Sequence, residues 1–299
     1  MPVVQASVPA LAPADKLVSA NSVTTMVNMF ASMAGMAIAG GLYDRFGLFP
    51  ILVASAVCFA ITAVMDLLIR IPYKKQESSN SFAGMVKNDL SLSGKFIMKD
   101  KPILARCAFI VFLMQIMVIP MLLVGVPVLI TQNLGYGMDL VGISSSIMMA
   151  GGLIGSIVAG VLGARLSIRK APLILTAGSL AITPIGLVFL FEVPVFISYI
   201  VITAATALCL GIVQMAGILF MAFVQGEVPS KLIGKVMSLL VILPFVANGA
   251  GSFMYGLLFE WFESLPWIVV FGTVVASVMV ALYAKCQLRN APIVLPAIE

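Results

Sequence analysis

Five polar side chains lie deep inside long apolar stretches of this sequence, and their types limit the chemistry that the chain can offer. Four are amides, namely Asn28, Gln115, Gln214 and Asn248, and the fifth is Asp66. An amide donates and accepts hydrogen bonds without carrying a charge, so these four are candidates for holding a solute in an apolar cavity. Their alternative role is hydrogen bonding between helices, worth about 0.6 kcal/mol per bond on average in membranes.

Asp66 is the only acid well inside an apolar stretch, where a carboxyl group could carry a proton as a coupling ion. Arg70 lies four residues later, near the end of the same stretch. That spacing favours an ion pair on one helix face that extends to the membrane surface, with proton coupling as the weaker alternative. Glu227 and Lys231 have the same spacing and are predicted to form a surface pair.

Enzyme classes find little support in these residues. The sequence has no histidine, which excludes Ser-His and Cys-His nucleophile pairs and leaves little proton-relay chemistry. It has no glycine-rich phosphate-binding loop of the kind used by ATP-driven motors. We therefore expect no enzymatic activity, no cofactor and no metal site.

The composition identifies the solvent of the chain. Of the 299 residues, 62% are hydrophobic and 10% are charged, and the mean hydropathy is +1.16. Soluble domains carry about 25% charged residues. So much apolar surface requires lipid as a partner, which predicts an all-α membrane protein. The net charge of +5 then reflects basic loops at an anionic leaflet and not nucleic-acid binding.

A bilayer core of about 30 Å requires about 20 helical residues. Eight segments satisfy this length, and the first is the most polar because Asn, Ser and Thr crowd its start. The predicted spans are Asn21–Tyr43, Phe49–Ile71, Leu104–Thr131, Met138–Ala164, Ala171–Phe191, Pro194–Gly226, Ile233–Phe259 and Trp267–Cys286.

The basic residues then fix the orientation. All 17 Lys and Arg residues except Arg45 fall on one side of the membrane when the eight spans are threaded back and forth. By the positive-inside rule that side is the cytoplasm, so both termini are predicted to be cytoplasmic. The expected location is the plasma or inner membrane.

One cytoplasmic connection is much longer than the others. Residues 72–103 form a basic loop of about thirty residues, within which apolar residues from Phe82 to Ile97 recur at roughly helical spacing. The spacing predicts a surface amphipathic helix, with a disordered linker as the alternative. The loop divides the chain into residues 1–71 with two spans and residues 104–288 with six, followed by a cytoplasmic tail at 289–299.

The first and seventh spans are similar at an offset of 216 residues. The offset aligns Pro13 with Pro229, Ser22 with Ser238, Gly35 with Gly251, Gly40 with Gly256, and Asp44 with Glu260. Internal repeats of this kind build several transporter folds. A second repeat of six spans implies that four helices of the first repeat are absent from this chain.

Four stretches, taken in order, carry a resemblance to the major facilitator superfamily of transporters. They are the opening Pro2–Ser22, the glycine-rich Gly35–Gly41, the loop Gly160–Lys170 and the helix lead-in Val228–Ser238. The chain looks like helices five to twelve of that twelve-helix fold and most resembles the bacterial efflux branch with enterobactin and macrolide exporters. Helix-packing or gating residues implied by the resemblance and the repeat are Gly35, Gly40, Gly41, Gly160, Arg165, Arg169, Lys170, Gly251 and Gly256.

The resemblance implies an exporter of small hydrophobic or amphipathic molecules that works by alternating access, with the four amides in its central cavity. If transport is coupled to protons, we expect the coupling acid to lie in the helices that this chain lacks. The alternative is a non-transporting eight-span membrane protein or an inactive remnant. If the 299-residue chain is itself the whole product, we expect it to fail in transport.

Overall fold

The computed structural model describes residues 13, 16–46, 48–68, 94, 96–162, 167–229 and 232–288. Every long element in these ranges is a helix. We number the helices α1 to α9, namely α1 Leu17–Phe46, α2 Leu48–Leu68, α3 Pro102–Met117, α4 Met138–Leu162, α5 Ala171–Leu180, α6 Thr183–Leu190, α7 Val195–Glu227, α8 Ile233–Trp261 and α9 Pro266–Leu288.

A helix lies at each of the eight predicted segments, but the count of eight spans stays a prediction. Among the described residues, six helical segments are long and apolar enough to cross a membrane. They are Pro102–Asn133, Met138–Leu162, Ile168–Leu190, Val195–Glu227, Ile233–Trp261 and Pro266–Leu288. Within α2, the shorter stretch Phe49–Met65 is apolar, and residues 52–65 are exposed, as lipid-facing side chains would be.

Prolines interrupt two of the predicted spans and leave a third continuous. The predicted span Ala171–Phe191 is divided into α5 and α6 just before Pro184. Proline lacks an N–H group and its ring clashes with the preceding turn, so the α-helical bonding stops there. Beyond α3, Pro120 precedes a π-helical turn, Met121–Gly125. By contrast, Pro244 lies inside an unbroken α8.

A neighbouring helix stabilises the backbone where the helical bonding of α3 is interrupted. The segment continues through Val126–Val128 and a second π-helical turn, Leu129–Asn133. At the break, the buried hydroxyl of Tyr255 on α8 donates a hydrogen bond to the Met117 carbonyl, at 2.7 Å. The carbonyl therefore has a partner even though the regular helix ends there, which a segment in lipid requires.

Helix α7 lies at the centre of the described bundle and packs along α4, α5 and α1. Its contact with α4 is unusually close. A Cβ atom added to Gly155 would lie 2.0 Å from the carbonyl oxygen of Gly211, and one added to Gly151 would lie 2.1 Å from that of Ala207. Only glycine allows the two backbones to approach to this distance, which is how lipid-embedded helices gain packing contacts.

Several predicted features lie outside the described residues. Arg165 and most of the basic loop are among them, including the start of its predicted amphipathic helix. The loop is described only at residue 94 and from residue 96, where Phe96–Asp100 forms a π-helical turn. The backbones of Gly40, Gly41 and Asp66 belong to α1 and α2, but their surroundings are outside the described part.

Candidate functional site: an amide-lined cavity

A cavity of about 460 Å³ lies between α1, α3, α4, α5 and α7. This volume is within the range of sites that bind drug-sized ligands. Helix α1 contributes residues from Asn21 to Met29, and α7 contributes residues from Leu210 to Met221. The cavity therefore joins a helix from residues 1–71 to helices from residues 104–288.

Three of the four predicted amides line this one cavity. They are Asn28 on α1, Gln115 on α3 and Gln214 on α7. Each is half-buried, and none forms a side-chain hydrogen bond with another described residue. These amide atoms are also not fully buried, because the fully buried side-chain N or O atom without a partner among the described residues is Thr183 Oγ1. The cavity amides are therefore accessible from the cavity, and their donors and acceptors are available to a solute.

The fourth amide has a different position. Asn248 on α8 is not one of the residues that line the cavity, and its Oδ1 accepts a hydrogen bond from the Ser252 hydroxyl at 3.3 Å. The two residues are four apart on the same helix. Their geometry is that of local hydrogen bonding, and nothing in this cavity supports a solute contact for Asn248.

The cavity also contains polar residues that the sequence did not single out. Asn21, Thr24 and Thr25 add to the polar wall formed by α1. The hydroxyl groups of Thr24 and Thr25 donate to the carbonyls four residues earlier, which leaves their oxygens able to accept. The concentration of Asn, Ser and Thr at the start of the first predicted span is the sequence signal that could have identified them.

Most of the remaining wall is apolar and rich in methionine. The five methionines are Met29, Met114, Met148, Met149 and Met221. Methionine is unbranched and polarizable, so it adapts to apolar ligands of different shapes. The cavity thus combines a polarizable apolar surface with a limited number of hydrogen-bonding groups.

Helix α1 is anchored near its beginning. The side chain of Asn21 donates to the Gln225 side chain on α7, and both residues are buried. Ser19 donates to the Gly160 carbonyl on α4 at 3.3 Å, and a Cβ atom on Gly160 would lie 3.1 Å from that of Ser22. These contacts hold α1 against α4 and α7 at one end of the cavity.

Glu227 forms an ion pair with a residue that is distant in the sequence, and its predicted pair with Lys231 stays a prediction. Glu227, at the end of α7, accepts a hydrogen bond of 2.7 Å from Lys101 at the start of α3. The Glu227 side chain is 5% exposed and that of Lys101 is 44% exposed. This partner is 126 residues away in the sequence and comes within reach of the carboxylate through the packing of α3 against α7. Lys231 lies outside the described residues.

The glycines assigned to packing or gating have different surroundings. A Cβ atom on Gly251 would lie 2.6 Å from the Ile116 carbonyl oxygen, so α8 and α3 approach closely there. For Gly35 and Gly256, a Cβ atom would meet nothing within 4 Å among the described residues. Arg169 and Lys170 lie in a short 3-10 turn, capped where Ser167 Oγ accepts the Arg169 N–H, and both make further interactions. A gating role for any of these residues stays a prediction.

The comparisons with known proteins identify the family of this helical bundle. A family model described as Major Facilitator Superfamily matches residues 1–252. The chain belongs to this superfamily. None of the curated proteins that were searched matches it.

Membership makes the chain a multi-pass membrane protein of a transporter family. Members of the major facilitator superfamily are transporters and not enzymes, in agreement with the lack of histidine-based catalytic pairs. A bilayer and a small-molecule substrate are the partners that such a protein requires. The family does not by itself identify the efflux branch, the direction of transport or the substrate.

Proposed function

We propose that this protein is a secondary active exporter of small hydrophobic or amphipathic molecules. The observation that carries the proposal is the cavity in which Asn28, Gln115 and Gln214 have no hydrogen-bond partner among the described residues. Polar groups that serve only to pack helices are paired, because an unpaired group in an apolar interior is destabilising. Groups left open towards a cavity of ligand size are better explained by a solute.

Alternating access would occur by movement between residues 1–71 and residues 104–288. The cavity lies between helices of both parts, which is where a transported solute must be held during such a movement. The contact of α1 with α4 and α7 includes one buried amide pair and the small residues Ser19, Ser22 and Gly160.

We further propose that the protein lies in the plasma or inner membrane with its basic loops in the cytoplasm, and that protons drive export. Asp66 is the only acid well inside a predicted span, so its carboxyl group is the candidate that this chain offers for carrying the proton. Its competing role is the surface pair with Arg70, so Asp66→Asn provides the test of coupling. If Asp66 carries the proton, flux in that variant becomes insensitive to a pH gradient.

Flux in native membranes tests the proposed function. Inside-out vesicles from cells with the intact gene should accumulate dansylamide, a small uncharged amphipathic dye, when a pH gradient is imposed. Vesicles with Gln214→Ala should accumulate it several-fold more slowly, and vesicles from a deletion strain should not accumulate it above leakage. Equal accumulation in the deletion strain would contradict the proposal and favour a non-transporting membrane protein.

A further inference from the structure

We infer that the cavity selects solutes without net charge that carry both hydrogen-bonding groups and an apolar surface. This inference rests on the proposed function, because it names the substrate class of the same cavity. The presence of the amides is not sufficient evidence for this selectivity, since amides line sites for charged ligands as well. The decisive features are the charge of the wall and the arrangement of its polar groups.

None of the described residues that line the cavity is ionisable. Its polar atoms belong to Asn, Gln and Thr side chains, apart from the backbone. A charged solute entering from water would lose hydration and meet no opposite charge on this wall, which strongly disfavours its binding. An uncharged solute loses much less hydration and recovers it through hydrogen bonds with the amides.

The closest described ion pair along α7 does not alter this conclusion. Glu227 lies six residues beyond Met221, the last α7 residue in the wall, which corresponds to about 9 Å along a helix. Its carboxylate is already paired with Lys101. The carboxylate is therefore both displaced from the cavity and neutralised, and it offers no counter-charge to a cationic solute.

The polar and apolar groups of the wall are unevenly distributed. Helix α1 supplies Asn21, Thr24, Thr25 and Asn28, which is most of the polar side chains. Helix α4 supplies only Met148 and Met149. Gln115 on α3 and Gln214 on α7 supply the remaining amides, so a solute that carries both hydrogen-bonding groups and an apolar surface matches the wall, whereas a uniformly apolar solute leaves the amides unpaired. The methionines permit variation in the shape of the apolar part.

Three dyes that differ in charge test the inference. Dansylamide is uncharged, its trimethylammonioethyl derivative is a cation and dansic acid is an anion. Fluorescence titration of the purified protein in lipid nanodiscs, with empty nanodiscs subtracted, should show at least tenfold tighter binding of dansylamide than of either charged dye. Equal or tighter binding of a charged dye overturns the inference.

A charge placed in the wall sharpens the test. Gln115→Glu should raise the affinity for the cationic dye at least tenfold relative to dansylamide at a pH where the carboxyl group is ionised. Gln132→Glu is the matched control, because Gln132 is an exposed glutamine on the same helical segment outside the cavity, and it should leave the ratio unchanged. An unchanged ratio in Gln115→Glu, with the dyes still bound, overturns the inference.

Binding and flux separate this inference from the proposed function. If the protein binds dansylamide selectively but does not move it in vesicles, the inferred charge selectivity stands and the proposed exporter function is contradicted. If the protein transports the cationic dye as well as dansylamide, the proposed exporter function stands and the inferred charge selectivity is contradicted. Failure to bind any of the three dyes overturns both.

Discussion

Two groups of amides, a few helical turns apart, behave differently in this molecule. At the end of the cavity nearest the beginning of α1, Asn21 and Gln225 are buried and bonded to each other. Deeper in the cavity, Gln115 and Gln214 are half-buried and have no partner among the described residues. The same residue types therefore serve two purposes, and the presence of a partner distinguishes the contact that joins helices from the surface that is open to a solute.

The comparison extends to the apolar residues. The contacts that join helices include two close approaches at small residues: Gly160 of α4 lies against Ser22 of α1 beside the paired amides, and Gly155 of α4 lies against Gly211 of α7. The open amides instead share with five methionines the wall of a space of about 460 Å³. Substitutions in the first region should change stability, whereas substitutions in the second should change solute binding.

The largest effect is expected for Gly155→Val. Its Cβ atom would lie 2.0 Å from the Gly211 carbonyl oxygen, so the backbones of α4 and α7 must move apart. We expect a loss of about 3 kcal/mol in the free energy of unfolding, at the upper end of overpacking substitutions. Denaturation of the detergent-solubilised protein measures it.

The control is Gly272→Val on α9, where a Cβ atom meets nothing within 4 Å among the described residues. Its free energy of unfolding should remain within about 0.5 kcal/mol of the wild type. Equal destabilisation of the two variants would show that the close approach of α4 and α7 does not hold the fold together.

A smaller effect is expected for Gln225→Leu, which removes the partner of Asn21. Hydrogen bonds between membrane helices contribute about 0.6 to 1.7 kcal/mol, and the loss in unfolding free energy should fall in that range. A double-mutant cycle with Asn21→Leu isolates the pair, because other contacts of Gln225 cancel in the cycle. A coupling energy of zero would contradict the claim that the hydrogen bond between Asn21 and Gln225 stabilises the fold.

The open amides should respond in the opposite way. Gln214→Ala removes a group with no protein partner among the described residues, so the free energy of unfolding should change little. Loss of one hydrogen bond to a solute, about 1 kcal/mol, weakens dansylamide binding by about fivefold. Marked destabilisation with unchanged dye affinity would assign Gln214 to the first group of amides.

The smallest effect is expected for Asn248→Ala. This amide does not line the cavity and is bonded to Ser252 on its own helix. Dansylamide affinity should therefore equal that of the wild type in the same fluorescence titration. A loss of affinity as large as that of Gln214→Ala would extend the solute site to α8.

Much of the fold could be predicted from the sequence, because an apolar run of membrane length has few alternatives to a helix. The positions of α4, α7 and α9 follow from such runs. The break between α5 and α6 could be predicted only in part. Pro184 indicates a bend, but Pro244, a residue of the same type, leaves α8 continuous. Tertiary packing decides between these outcomes.

The site could be predicted less completely. Gln115 and Gln214 could be predicted as site residues from their position within a span, since polar groups at membrane depth usually have a functional role. The same criterion selected Asn248, because depth in the membrane does not show which way a side chain faces. The sequence predicts a pair of Glu227 with Lys231 because local spacing is visible in a sequence, whereas the approach of Glu227 to Lys101 depends on how α3 and α7 pack.

The most direct test of the account is dansylamide binding by the triple variant Asn28→Ala, Gln115→Ala and Gln214→Ala, measured together with its thermal unfolding. If the three open amides hold the solute, affinity falls by about 100-fold, as expected for three hydrogen bonds of about 1 kcal/mol each. The unfolding temperature should remain that of the wild type. Wild-type affinity in a correctly folded triple variant would contradict the claim that these amides form the solute site.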